Sequence, residues 1–408
     1  MNFRHRVFNA EAQRLRRVAK KTMALRVFVG IALSITLVAA TGCRKDPASQ
    51  QPGASSVAEA AGQHPAGGVV TSAQTRFFKG SIGDTLGLQM KLVRDGDKLT
   101  GSYFYQKVGK KIEVRGSVAN DGNLVLEEFD ASGKQTGVFK GTWKTANDAA
   151  IEISGDWTRP NGDKKSAFSL QQEPIEFSHA VEIVPRRIKE KNAKLKYEID
   201  VEYPQLTGSV DPNFEKFNQS ARSLAVKKVA DFKVEMTPEA DDEPLADLPG
   251  ENLGSDIGMS YEVRLAQDDL ISMEFTVSSY SAGAAHPNSY TEVLNFDLKN
   301  GRPLKLTDLF QPGAKYVQTL SRISIEELKK QAKVAGAEAM LDDDWIQKGA
   351  AADATNYDNW TITKQGLEIT FDPYQVGPYA AGPQHAVVPY AALKDIIKPD
   401  GPLGQFLK

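Results

Sequence analysis

A chain of 408 residues is too long for one ordinary hydrophobic core, so two or three folded units are expected. A net charge of −2 and a pI near 6.3 leave no basic stripe for nucleic acid, and 41% apolar with 25% charged residues is the balance of a globular protein. The single cysteine, Cys43, excludes an intrachain disulfide and a cysteine-based zinc site.

The chain opens with a basic, polar stretch up to Met23. Then comes "MALRVFVGIALSITLVAATGC", with Arg26 ahead of an apolar run from Val27 to Ala40. The run is about 14 residues, short of the roughly 20 that span a bilayer, and small residues follow it, as in a signal peptide. Its end, Ala40-Thr41-Gly42-Cys43, resembles a bacterial lipobox, with Ala40 where Leu is favoured. The resemblance implies cleavage before Cys43 and acylation of its thiol, so residues 1–43 are read as a lipoprotein signal. Each buried CH₂ contributes about 0.8 kcal/mol, so several acyl chains would anchor the protein to a membrane. Arg44 behind the cysteine resembles the sorting signal for the outer membrane of Gram-negative bacteria, here facing the periplasm. Residues 44–75, rich in Ala, Gly, Ser, Pro and Gln, bury too little to offset chain entropy and read as a flexible linker.

Residues 76–172 change in texture. "KIEVRGSV" puts Ile112, Val114 and Val118 on one face, and "AFSLQQ" does the same with Phe168 and Leu170. Asp95-Gly96, Asp121-Gly122, Ser132-Gly133 and Asn161-Gly162 separate such runs, which marks hairpins. The unit is expected to be an all-β antiparallel meander closed into a small barrel or sandwich. "LTGSYFY", "TGVFKGTW" and "SGDW" each set a glycine before an aromatic. Tyr103, Tyr105 and Trp157 are therefore expected to fill a tightly curved core, the alternative being an aromatic binding surface.

Residues 177–408 mix strands and helices and are expected to form an α+β domain, a mainly antiparallel sheet carrying two long helices. "AKLKYEIDVEYPQL" alternates as a strand. "SVDPNFEKFNQSARSLAVKKVADFK" turns to helical period, with Asp211 as N-cap and Pro212 at the first position. Two strands flank Asp268-Asp269 and two flank Asn300-Gly301, and a second helix runs from Ala314 to about Met340. Asp342-Asp343-Asp344 is read as a helix end and solvated loop. Strands at Trp360–Ile362 and Leu367–Phe371 and a short helix near Pro389 complete the domain.

The phrases "AHPNSYTEVLNFDLKNGRPLKLTDLF" and "WTITKQGLEITFDPYQVGPYAAGPQHAVVPYAALKDII" resemble the RsiV-type domain over about residues 177–397. That domain forms the lysozyme-binding ectodomain of certain anti-sigma factors, a non-catalytic part of peptidoglycan deacetylases, and a part of many bacterial lipoproteins. The resemblance implies a cell-envelope location and a surface for a lysozyme-like protein or peptidoglycan. Neither a sigma-binding segment nor a metal-dependent deacetylase motif accompanies it.

Binding candidates are His286, Pro287, Asn288 and Tyr290 in the first phrase, and Tyr374, Pro378, Tyr379 and Gly382 in the second. Prolines and tyrosines give contact area at low entropic cost. Two alternatives stand beside binding: an envelope hydrolase using His286, and a structural subunit of an envelope complex. No nucleophile-elbow pattern surrounds Ser281 or Ser289. A metal at His286 or His385 would want a third ligand such as Asp297 or Asp372, so no catalytic residue, metal or cofactor is assigned.

Overall fold

The computed structural model describes residues 74–106, 110–146, 150–178, 181–237, 254–335 and 340–407, all within one compact unit, Val69–Lys408. The lipobox with Cys43, the linker before residue 74 and most of the acidic loop after Glu235 lie outside the described residues.

Eight antiparallel strands come first: β1 (Gln74–Ile82), β2 (Leu86–Asp95), β3 (Lys98–Tyr105), β4 (Lys111–Val118), β5 (Asn123–Phe129), β6 (Gln135–Thr145), β7 (Ile151–Thr158) and β8 (Lys165–Gln172). They pair in sequence order, and β8 returns to β1, so the sheet closes into a barrel. Curvature is bought by glycine: Gly155 faces Gly141 across β6 and β7, and a Cβ on Gly155 would stand 2.5 Å from the Cα of Gly141. Phe78, Tyr103, Phe139 and Phe168 fill the interior, with Tyr103 and Phe168 meeting Phe139 edge to face at 5.7 and 5.1 Å. Of the aromatics expected in the core, Tyr103 and Trp157 are buried, while Tyr105 is half-buried against it.

One buried charge sits in that core. Glu128 accepts from the Tyr103 hydroxyl (2.7 Å), the Trp157 indole N–H (2.8 Å) and the Thr136 hydroxyl (2.6 Å), which satisfies a carboxylate that burial would otherwise penalise. Burial, then the Glu128 charge, push the Tyr103 phenol far up, so it remains a neutral donor.

The second domain begins at β9 (Ile175–Glu176). A sheet follows in the order β10 (Glu182–Asn192), β11 (Tyr197–Thr207), β12 (Ser255–Gln267), β13 (Leu270–Tyr280), β14 (Asn288–Asp297) and β15 (Arg302–Pro303), with β9 added parallel to β12. The pair β11–β12 is also parallel; the rest is antiparallel. Helix α1 (Pro212–Glu235) lies on this sheet through Phe214, Phe217, Ala221, Ala225 and Phe232. Asp211 caps it as expected, accepting from the Asn213 N–H at 2.8 Å.

A second core gathers under α2 (Tyr316–Ala335), α3 (Asp343–Gly349), a three-stranded sheet and α4 (Tyr390–Leu393). The sheet is β16 (Trp360–Ile362), β17 (Gly366–Phe371) and β18 (Gln384–Pro389), all antiparallel. A buried polar joint ties the two sheets. Ser272 Oγ donates to Asn295 and accepts from the Ile362 N–H at 2.7 Å, and Asn295 Nδ2 donates to the Trp360 carbonyl at 2.7 Å.

Two local expectations change, and one strand carries no plain mark in the sequence. Strand β10 precedes the run where alternation is plain. Its Arg186, Lys189 and Lys191 alternate with half-buried residues on an edge, which hides the pattern. The strand after Asn300-Gly301 shrinks to two residues because the chain turns at Leu304 into a 3₁₀ segment. And Asp342 starts a helix rather than following one: its side chain accepts from the N–H groups of Asp344 and Trp345 at the head of α3.

Candidate functional site

Two surface loops of the second domain meet. Residues 281–287 leave β13 for β14, and residues 372–383 join β17 to β18. The Tyr379 hydroxyl donates to the Pro287 carbonyl at 2.6 Å. The His286 ring lies on Tyr379 with centroids 4.4 Å apart, and Tyr374 follows at 5.6 Å from Tyr379. Trp345 extends the row, its indole N–H donating to the Tyr374 carbonyl at 3.1 Å. Tyr374 is 55% and Trp345 36% exposed and His286 is exposed, so the three contacting rings, with Trp345 joined to them through the Tyr374 backbone, form an aromatic platform open to solvent.

The backbone serves this display. Asp372 to Gln375 is a β-turn closed by a 3.0 Å hydrogen bond, with Pro373 second and Tyr374 third at φ 72°, a position that favours glycine. Pro378 precedes the 3₁₀ turn Tyr379–Ala381, and Gly382 ends it at φ 67°.

Of the residues singled out from sequence, His286, Pro287, Tyr374 and Tyr379 come together in the platform, and Pro378 and Gly382 shape its loop. Asn288 is exposed at the start of β14. Tyr290 lies elsewhere, half-buried with the Lys228 ammonium 4.9 Å from its ring centre. Cys43 lies outside the described residues. Sequence reasoning missed Trp345, whose membership depends on the cap at Asp342.

Beside the platform is a polar cavity of about 220 Å³, lined among others by Glu262, Arg264, Glu274, Tyr290, Asp372 and His385. Strand register builds it. Glu262 and Glu274 face each other across β12 and β13, a like-charge pair that costs stability unless neutralised. Between Val263 and Leu265 the register slips, and this bulge brings in Arg264. Arg264 Nη2 lies 2.8 Å from Glu274 and 3.3 Å from Glu368, and Nη1 lies 3.5 Å from Glu262. Burial opposes the Arg264 charge, but Glu274, Glu368 and Glu262 together outweigh it and hold its pKa above the ordinary value.

On β17 and β18, Thr370 pairs with His385. The Thr370 hydroxyl donates to Glu274 Oε2 at 2.7 Å and lies 3.2 Å from His385 Nδ1, which is 3.9 Å from Glu368 Oε1. Asp372 accepts from the Thr291 N–H (2.9 Å) and from Asn359 Nδ2 (3.0 Å). Burial pushes the Asp372 carboxyl up, and these hydrogen bonds work against that push.

Neither Glu274 nor Glu368 was singled out from sequence. A signal was there: each is the one charged residue in its strand, "LISMEFTV" and "LEITF". Asp297, considered as a ligand, instead accepts from the Asn300 N–H (2.9 Å) and Nδ2 (2.7 Å) and braces a turn.

With the geometry in place, the comparisons fall on the same region. Residues 188–289 match the family model described as Deacetylase PdaC, and residues 307–391 the one described as Protein of unknown function (DUF3298). Both lie inside the stretch that resembles the RsiV-type domain. The cavity takes Glu262, Arg264 and Glu274 from the first matched region and Asp372 and His385 from the second, with Glu368 of the second region reaching Arg264 and His385 from behind that lining.

Peptidoglycan-N-acetylmuramic acid deacetylase PdaC of Bacillus subtilis is 27% identical over 184 residues, 45% of this chain and 37% of the relative. Immunogenic protein MPT64 of Mycobacterium tuberculosis is 27% identical over 117 residues, 29% of this chain and 48% of its own. The chain thus spans between about a third and a half of the length of these curated relatives. A crystal structure of a DUF3298-family member from Bacteroides fragilis aligns over 57% of this chain and 99% of its own, at 19% identity and TM-score 0.45.

Proposed function

We propose that this protein is a cell-envelope binding module that uses the aromatic platform of His286, Tyr379, Tyr374 and Trp345 to hold a peptidoglycan-related ligand. The observation that carries the reading is the exposure of Tyr374 in a loop already fixed by hydrogen bonds at both ends of the platform. Exposed apolar groups that are rigid before binding give contact area without a large ordering cost. The likeness of residues 188–289 to the PdaC model, and of 184 residues to a peptidoglycan deacetylase, supports the cell wall as the setting. Acylation of Cys43 would hold the module at a membrane surface, and incorporation of labelled palmitate by wild type but not Cys43→Ser tests it.

A lysozyme-like protein is the second ligand class, motivated by the RsiV-type resemblance. Co-sedimentation with purified peptidoglycan, and capture on immobilised lysozyme, separate the two. Retention on peptidoglycan that falls with Tyr374→Ala and Tyr379→Ala is the expected result; capture by lysozyme alone reassigns the ligand, and retention by neither removes the reading. The hydrolase alternative rests on His286, whose Nδ1 lies 2.7 Å from the Pro287 carbonyl and whose ring leans against Tyr379 at 31°, an arrangement suited to contact. Loss of peptidoglycan-hydrolysing activity in His286→Ala would instead favour the enzyme.

A further inference from the structure

We propose that Glu274, Glu368 and His385 form a divalent-cation site at the wall of the cavity beside the platform, with Zn²⁺ as its preferred ion. One carboxylate oxygen of each glutamate and one ring nitrogen of His385 already lie within 4.8 Å of one another. Ligand atoms held about 2.0–2.2 Å from one zinc stand some 3–4 Å apart, so small side-chain rotations close the set. Two carboxylates with one imidazole suit Zn²⁺ or Mn²⁺; Ca²⁺ and Mg²⁺ prefer oxygen alone. Three protein ligands leave a coordination position for a water or a ligand atom.

Two further observations point to a missing partner. Glu368 Oε1 is buried and takes part in no hydrogen bond; its 3.3 Å approach to Arg264 is a charge contact without hydrogen-bond geometry. Directly across the strand pair from Glu368, the hydroxyl of Thr361 is fully buried and also without a partner. Charge agrees. Glu262, Glu274, Glu368 and Asp372 bring four carboxyl groups to the cluster against the single guanidinium of Arg264. Arg264 Nη2 bridges Glu274 and Glu368, so it competes with an ion for both carboxylates and neutralises them in the ion's absence. This inference does not depend on the platform or on the nature of its ligand.

The test uses the full chain after chelator treatment, titrated with Zn²⁺ and Mn²⁺ by calorimetry and by thermal melting. One ion per chain and a raised melting midpoint are expected, with Zn²⁺ bound more tightly than Mn²⁺. Glu368→Gln and His385→Gln each weaken binding by about tenfold or more, loss of a ligand costing at least as much as loss of an outer partner. Arg264→Gln does the opposite: with the competing cation gone, Zn²⁺ binds more tightly and restores melting stability that the substitution removes. The proposal is overturned if about 100 µM Zn²⁺ leaves the melting midpoint unmoved. It is equally overturned if binding is indifferent to both Glu368→Gln and His385→Gln, or if Arg264→Gln weakens it. Circular dichroism of each variant separates loss of the site from loss of the fold.

Discussion

Tyr374 holds a backbone conformation that an L-side chain adopts at a cost of about 1–2 kcal/mol. Its third position in the Asp372–Gln375 turn is where glycine is ordinarily placed. Such strain persists where a side chain is wanted for contact, and this ring is more than half exposed, so burial does not repay it. Tyr374→Gly relieves the strain while adding about 0.5–1 kcal/mol of glycine entropy, so stability is expected to change by less than about 1 kcal/mol. Ligand retention is expected to fall sharply in the same variant. A melting curve and a peptidoglycan sedimentation assay on one preparation check both. Unaltered retention would mean that the ring is not a contact.

At the scale of elements, helix α3 shows how a short segment supports the platform. It is seven residues long and cannot stand by propensity alone. Asp342 binds two of its free N–H groups, and the third residue, Trp345, then reaches the Tyr374 carbonyl. Asp342→Ala is expected to cost about 1 kcal/mol. It should also increase the exposure of Trp345, visible as a red shift in its fluorescence. No red shift alongside the stability loss would uncouple the cap from the platform. The acidic run Asp342–Asp344 is local text that suits a helix head as well as a solvated loop, and only the chain that follows decides. Most barrel hairpins were legible because their turns carry glycine, the β6–β7 connection at residues 146–150 being without one, and α1 was legible because its cap and apolar stripe agree. The cavity was not. Glu262, Glu274, Glu368 and His385 meet through a bulge at Arg264 and the packing of two sheets, neither of which leaves a periodic mark. What could be read was the oddity of an acid inside an apolar strand.

The whole molecule turns on the junction between barrel and second domain. Lys79 of β1 donates to the Tyr261 carbonyl of β12 at 2.8 Å, and Lys91 of β2 pairs with Glu182 of β10 at 2.8 Å. Between β8 and β9 lies Glu173, 9% exposed, its N–H bonded back to the Phe77 carbonyl of β1 at 2.8 Å. Burial pushes its carboxyl from 4.5 up to about 7; the Lys79 charge pulls it down and the Glu262 charge adds to the rise. A carboxyl with a folded pKa above its unfolded value holds its proton more tightly in the folded chain. Stability from this group is therefore greatest below pH 4.5, falls as pH rises to about 7, and stays low above that. The interval corresponds to about 3 kcal/mol, a large share of the stability of an ordinary domain. Glu173→Gln keeps the shape and removes the charge. It is expected to raise the melting midpoint at pH 8 and to flatten the fall between pH 5 and 7 seen in wild type, both measured by calorimetry in about 0.15 M salt. If the variant melts below wild type at pH 8, the attraction of Lys79 for an ionised Glu173 outweighs the burial penalty. The junction would then be a salt bridge and not a protonated contact.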